Sequence, residues 1–357
     1  MLNTPTVLEV PAFDEHIRYG GCMQRSTSLA LRAEGVEPPQ LLGKYWRFIR
    51  EWGPPFRNKA SFAISDGAFH VFASKFDDSR EALSRHGIDV VMCRGMGPVE
   101  SWNRILDRLA RGRPTPILLD NYHLKIHETF YQKIHGTHVF AVGGYDPEAG
   151  QVHVFNVRES VEDWHVPFET VLEAWATEEY TWFDVLMPSE LRPDTASAVR
   201  DDIRACVGGM LPQHPGEHWA RGVPAIRRFA DELGTYPSRF QAEEVRAFLE
   251  DGFHQLPGIR EQRLLFGRAL GAIGQRLALA PLSDIAVQVE QVGKTWSVAR
   301  NWFLRAAEGD LGRGVSRLGA KLREVADAEE RTLLTLAEVC DSPTWPVEAV
   351  VEITLQG

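Results

Sequence analysis

Three residues of this 357-residue chain have types and an order suited to acyl chemistry on a thiol: Cys22, His138 and Asn156. A thiolate attacks an acyl carbon, an imidazole moves the proton, and a third side chain holds the imidazole in place. Cys22 follows the pair Gly20-Gly21 and heads a helical pattern, Met23 to about Gly35, with Leu29 on its apolar side. A helix N-terminus favours an anion, so this placement, with His138 as partner, predicts a thiol pKa below the free value of ~8.5. His138 lies in the strand-like run Gly136-Thr-His-Val-Phe-Ala-Val-Gly-Gly-Tyr-Asp146, and Asn156 ends the next, Gln151-Val-His-Val-Phe-Asn156. Each residue has an ordinary role when taken alone. A single cysteine is commonly a small buried hydrophobe, a strand histidine a satisfied core residue, and a strand-end asparagine a cap. The conjunction carries the catalytic reading.

The positioning elements follow from pattern. If Asp146-Pro147-Glu148-Ala149-Gly150 closes a hairpin by pairing Tyr145 with Gln151, then 138, 140 and 142 share a face with 152, 154 and 156. His138 and Asn156 then become direct or diagonal cross-strand neighbours. A slip of one residue would part them and leave Asp146 as the alternative third member. Helical signals span 26–35, 79–87 and 99–112, and strand-like runs span 69–72, 89–93, 116–120, 137–144, 151–157 and 181–187. Helices first and an antiparallel sheet late predict an α+β thiol-enzyme domain over residues 1–190. Cysteine on an early helix, histidine on a strand and an amide on the next strand is the layout of papain-like cysteine enzymes. The Cys22 backbone N–H would bind the oxyanion, helped by His16 or Gln24, the side-chain donors nearest in sequence.

Cys22 to Ser28 forms a cysteine followed by a Ser/Thr-rich helix start. Pro116-Ile-Leu-Leu-Asp-Asn-Tyr122 is a strand ending in an acid and an aromatic, and His138 to Asp146 is a histidine strand running into Gly-Tyr-Asp. On these motifs the first half resembles the N-terminal domain of the butirosin-biosynthesis protein H family, a papain-like acyltransferase fold. Residues 191–357, with Arg260–Leu270 and the helix around Trp296 and Trp302, are similar to the helical companion domain that often accompanies it. The resemblance implies acyl transfer in specialised-metabolite biosynthesis. An acyl or peptidyl carrier protein would deliver the acyl group on its phosphopantetheine arm, and a small-molecule amine would accept it. No bound cofactor is implied. Asp120 and Tyr122 are similar to family positions near the site, although capping a strand end is an equal role for Asp120. One departure is Asn156, where the family usually carries aspartate; papain-like proteases use asparagine there. A peptidase or amidase of the same fold, and a non-catalytic binding or assembly protein, are the alternative readings.

Other chemistries lack their signatures. His123 and His127 stand four apart with His135, His138 and His153 nearby. There is no His-Glu-x-x-His, and the segment follows a strand, so solvated or structural histidines and no metal are expected. Gly95-Met96-Gly97-Pro98 lacks the Lys-Ser/Thr of a phosphate loop, and no Gly-x-Ser-x-Gly occurs.

Composition supports two cored domains, since 44% of the residues are hydrophobic. No apolar run approaches twenty residues, so no membrane span is expected, and Met1–Phe13 lacks the pattern of a secretory signal. Four scattered cysteines predict reduced thiols in a cytoplasm. A net charge of −10 argues against nucleic acid as a partner. Beyond the linker at 188–193 the pattern is helical throughout. Positions 285, 289, 292, 296, 299, 303 and 306 form one apolar seam, and 315, 318, 322 and 325 another. Gly267, Gly271 and Gly274 predict close helix packing. The strand-like tail 345–355 has no predicted place.

Overall fold

The computed structural model describes residues 6–9, 22–36, 49–51, 80, 83–128, 130–133, 135–157, 161–192, 194–211, 219–346 and 350–351. These divide into two compact units. Strand β1 (Thr6–Val7) belongs to the first, with residues up to 192, and β2 (Ile49–Glu51) joins residues 194–351 in the second.

The first unit mixes α and β. Strands β3 (Asp89–Cys93), β4 (Thr115–Asp120), β5 (Thr137–Asp146), β6 (Gln151–Val157), β7 (Val161–Pro167) and β8 (Trp182–Leu186) form an antiparallel sheet in the order β3-β8-β4-β5-β6-β7, with β1 added on β5. One face carries Phe140 and Val142 of β5 and Val154 of β6. It packs on Trp102 of helix α2 (Pro98–Leu109) and Trp175 of α3 (Phe168–Ala176). The other face carries Ala141 and Phe155, which pack with Leu29 of helix α1 (Cys22–Ala33). Alternation along the strands assigns the residues to these two faces. Helix α1 stops where Gly35 turns to φ 76°, with Gly35 N–H donating to Arg32 O and Val36 N–H to Leu31 O.

Sequence and structure agree on β3, β4, β5, β6 and β8 to within two residues at each end. Strand β7 and helix α3 were not expected, because the acidic and aromatic Val-Glu-Asp-Trp-His-Val-Pro run hides its alternation. The expected strand at 69–72 and positions 79, 81 and 82 of the expected helix at 79–87 lie outside the described residues, and 85–87 form a turn rather than helix. Arg80, Leu83 and Ser84 of that helix are described and are helical.

The second unit is mostly helical: α4 (Ala196–Met210), α5 (Gly222–Leu233), α6 (Tyr236–Arg239), α7 (Ala242–Gln255), α8 (Pro257–Arg276), α9 (Ala280–Glu308) and α10 (Leu311–Cys340). Every residue of both predicted seams is buried. A Cβ on Gly267 would sit 2.9 Å from Ala286 O, and one on Gly274 would sit 2.6 Å from Ser283 Oγ, so glycine permits the approach of α8 to α9. The all-helical expectation needs one correction. Strand β9 (Asp194–Thr195) pairs with β11 (Val350–Val351), which gives part of the tail its place, and β10 (Trp219–Arg221) pairs with β2. Pairs so short and so far apart in sequence leave no local pattern. No helix among the described residues is long and apolar enough to cross a membrane.

Candidate active site

The β5–β6 hairpin is closed by Asp146, whose Oδ1 accepts the N–H of Glu148 at 2.9 Å and of Ala149 at 3.0 Å. Pairing begins at Asp146↔Gln151 and Tyr145↔Val152, one residue off the expected register. Gly143 then forms a bulge, and the ladder resumes as Val142↔Val154 and Ala141↔Phe155, which is the expected register. A Cβ on Gly143 would lie 2.1 Å from the Phe155 ring, so only glycine fits there. Continuing the resumed register puts Asn156 opposite Phe140, with His138 on the same face as its diagonal neighbour.

Cys22 reaches this hairpin from α1. Leu118 N–H donates to Thr181 O on the β8 side, so the polar backbone groups of Leu118 point away from β5. Its partner Val139 therefore turns its own N–H and C=O away from β4 and toward β6. The β5–β6 ladder ends at Ala141↔Phe155. Helix α1 meets the Val139 groups instead. Ser26 Oγ donates to Val139 O at 3.2 Å, and Val139 N–H is directed to the Cys22 sulfur. Cys22 and Ser26 are one turn apart, so the start of α1 occupies the place where β5 and β6 part. The thiol lies against the backbone of the residue that follows His138.

Electrostatics correct one expectation. Burial pushes the Cys22 thiol pKa above that of a free thiol. The N–H groups of Val139, Met23 and Cys22 itself, and the Arg25 charge, oppose this without overcoming it. The helix start is present, but desolvation outweighs it. Cys22 should therefore be alkylated slowly by iodoacetamide at pH 6–7, with a rate rising about tenfold per pH unit until the thiol titrates. Peptide mass spectrometry over pH 6–10 measures this, and a rate already level at pH 6 would mean a preformed thiolate.

The His138 ring lies edge-on to Phe140 at 4.6 Å and to the buried His127 at 5.5 Å. Asn156 is 1% exposed, and its Nδ2 donates to Glu162 Oε2 at 3.2 Å across the β6–β7 pair. Its Oδ1 is buried with no hydrogen-bond partner among the described residues, so the expected Asn156–His138 bond is not formed here. Gln24 is buried on α1, while His16 lies outside the described residues.

Asp120 caps the strand end, the ordinary role weighed for it. Oδ1 accepts Tyr122 N–H and Gly136 N–H at 3.0 Å each, and Oδ2 meets His135 Nδ1 at 2.5 Å. Burial raises its pKa, but the His135 and backbone hydrogen bonds outweigh burial and leave the carboxyl below its usual range. Tyr122 stacks on His135 at 4.1 Å.

Residues 22–157 match the family model of butirosin biosynthesis protein H, N-terminal. This segment is similar to the butirosin-H N-terminal domain. The match opens on Cys22, ends one residue past Asn156 and contains His138; the helical unit lies outside it. No curated protein matches the chain. Sequence reasoning missed His127 as a neighbour of the His138 ring and Glu162 as the Asn156 partner. Reading 161–167 as a strand would have found Glu162, because pairing Val157 with Val161 puts it opposite Asn156.

Proposed function

We propose that this protein is a papain-like acyltransferase that makes an amide through a thioester on Cys22, as part of natural-product biosynthesis. The donor is an acyl or peptidyl carrier protein carrying the acyl group on phosphopantetheine, and the acceptor is a small-molecule amine. Cys22 sulfur attacks the thioester carbonyl while its proton passes to His138, and the phosphopantetheine thiol leaves with a proton returned from His138. The amine then attacks the Cys22 thioester, gives its proton to His138, and the Cys22 thiol is restored. Asn156 Oδ1, without a partner among the described residues, is the acceptor that would orient the imidazole once the site closes on substrate, and the Cys22 N–H receives the oxyanion with Gln24 or His16 as a further donor. Asp120 and Tyr122 shape the neighbouring wall.

The observation that carries this reading is the Cys22 sulfur at the parting of β5 and β6, on the strand of His138 and beside the end of the Asn156 strand. The family match enclosing all three residues supports it. The raised thiol pKa makes His138 a base that acts during attack rather than half of a resting ion pair. The test is acylation of Cys22 by a thioester donor, followed by capture with an amine.

The third member has its own test. Asn156→Ala should leave the fold intact and slow turnover by about ten- to a hundredfold through misplacement of the imidazole. Asp146→Ala should disturb the turn, lowering stability with little change in turnover. Steady-state rates and thermal melting of both variants decide it; silence of Asn156→Ala with loss of activity in Asp146→Ala would transfer the role to Asp146.

A further inference from the structure

Strands β6 and β7 bring together three side chains that the acyl-transfer chemistry does not use. His153 and His165 are direct cross-strand partners, and Asp163 lies two residues before His165 on the same face. Asp163 Oδ2 is 3.1 Å from His153 Nδ1 and 3.4 Å from His165 Nε2, and the two rings are 4.0 Å apart. One donor atom from each residue lies within 4.8 Å of the other two. The second carboxylate oxygen, Oδ1, is buried with no hydrogen-bond partner among the described residues.

We propose that His153, Asp163 and His165 bind a divalent transition cation of the zinc class. Bonds of about 2.0–2.1 Å at near-tetrahedral angles put neighbouring ligand atoms about 3.3 Å apart, which the two Asp163–imidazole separations match, while the two imidazole nitrogens lie within 4.8 Å of each other. Two imidazoles and one carboxylate form a borderline donor set that suits zinc, cobalt or nickel and disfavours calcium and magnesium. The three side chains stand on two paired strands, which holds them in position without a flexible loop. His153 and Asp163 are largely enclosed, whereas His165 is 51% exposed, leaving the fourth position open to water. The ion would brace β6 against β7, three residues from Asn156. The spacing Asp-x-His on one strand with a histidine on its neighbour has no helical His-x-x-x-His signature, which is why the histidine count alone pointed to no metal.

The test uses the full chain, stripped with a chelator and dialysed against Zn²⁺. The native protein should retain one equivalent more than either Asp163→Asn or His165→Ala, with each variant weakening that equivalent at least tenfold. Both substitutions keep the surroundings filled or lie half-exposed, and circular dichroism should confirm unchanged folding. Cobalt bound at the same site should show ligand-field bands without a thiolate charge-transfer band, which separates it from a cysteine site. Identical Zn²⁺ retention by the native protein and both folded variants overturns the proposal. So does a cobalt spectrum dominated by thiolate.

Discussion

Cys22→Ala should remain folded and should form no acyl-enzyme, with turnover down by on the order of 10³-fold or more. The residue is half-buried at the start of α1 and contributes one sulfur atom to its surroundings, so alanine removes the chemistry and little packing. Native protein mixed with an acyl-thioester donor should gain one acyl mass on the peptide bearing Cys22. Water at ~55 M competes with any amine, so transfer needs a positioned acceptor, and effective molarities of ~10⁵ M or more can supply the advantage. The acyl-enzyme should therefore persist for minutes without an amine and collapse within seconds of adding the correct one. Intact-mass spectrometry follows both phases. Rapid loss of the acyl group to water, whatever amine is present, would make the protein a hydrolase; absence of any adduct in the native protein would favour a binding protein.

Glu329→Ala should be among the most damaging substitutions in the helical unit, lowering stability by about 3–5 kcal/mol. Arg263 on α8 and Glu329 on α10 are both 0% exposed. Glu329 Oε1 accepts Arg263 Nε at 2.8 Å and Trp296 Nε1 at 2.6 Å. Removing the carboxylate strands a guanidinium in the core and unpairs an indole N–H. Replacing both charges, as in Arg263→Met with Glu329→Leu, should recover most of the loss, because an apolar pair of similar volume avoids desolvating either ion. Urea denaturation of the two single variants and the double variant measures the coupling. Equal loss in Glu329→Ala and in the double variant would mean that packing, not charge, dominates there.

The sheet strands around the site were legible because Val, Ile, Leu and Phe recur between clear turn signals at 112–114 and 146–150. The seams of α9 and α10 were legible for the same reason at helical spacing. The hydrophobic pattern also located Cys22, His138 and Asn156 on the correct elements. The Cys22 pKa was not legible, since it depends on how deeply α1 settles on β5, and desolvation leaves no mark on the local sequence. The Arg263–Glu329 pair was equally hidden: residues 66 apart in sequence meet only after three helices pack. The grouping of His153 with Asp163 and His165 escaped notice because β7 itself was not recognised.

The bulge at Gly143 makes the hairpin a matter of parity. Below it the paired residue numbers sum to an odd value, 146 with 151; above it the sum is even, 142 with 154. Were the odd count to continue, Asn156 would face Ala141 and share a side with Val139, leaving His138 alone on the other. One supernumerary glycine thus decides whether base and amide belong to the same surface. Length variation between 143 and 151 should accordingly be tolerated in steps of two and rejected in steps of one. A homologue that loses the glycine would need a compensating single-residue change in the turn to remain active.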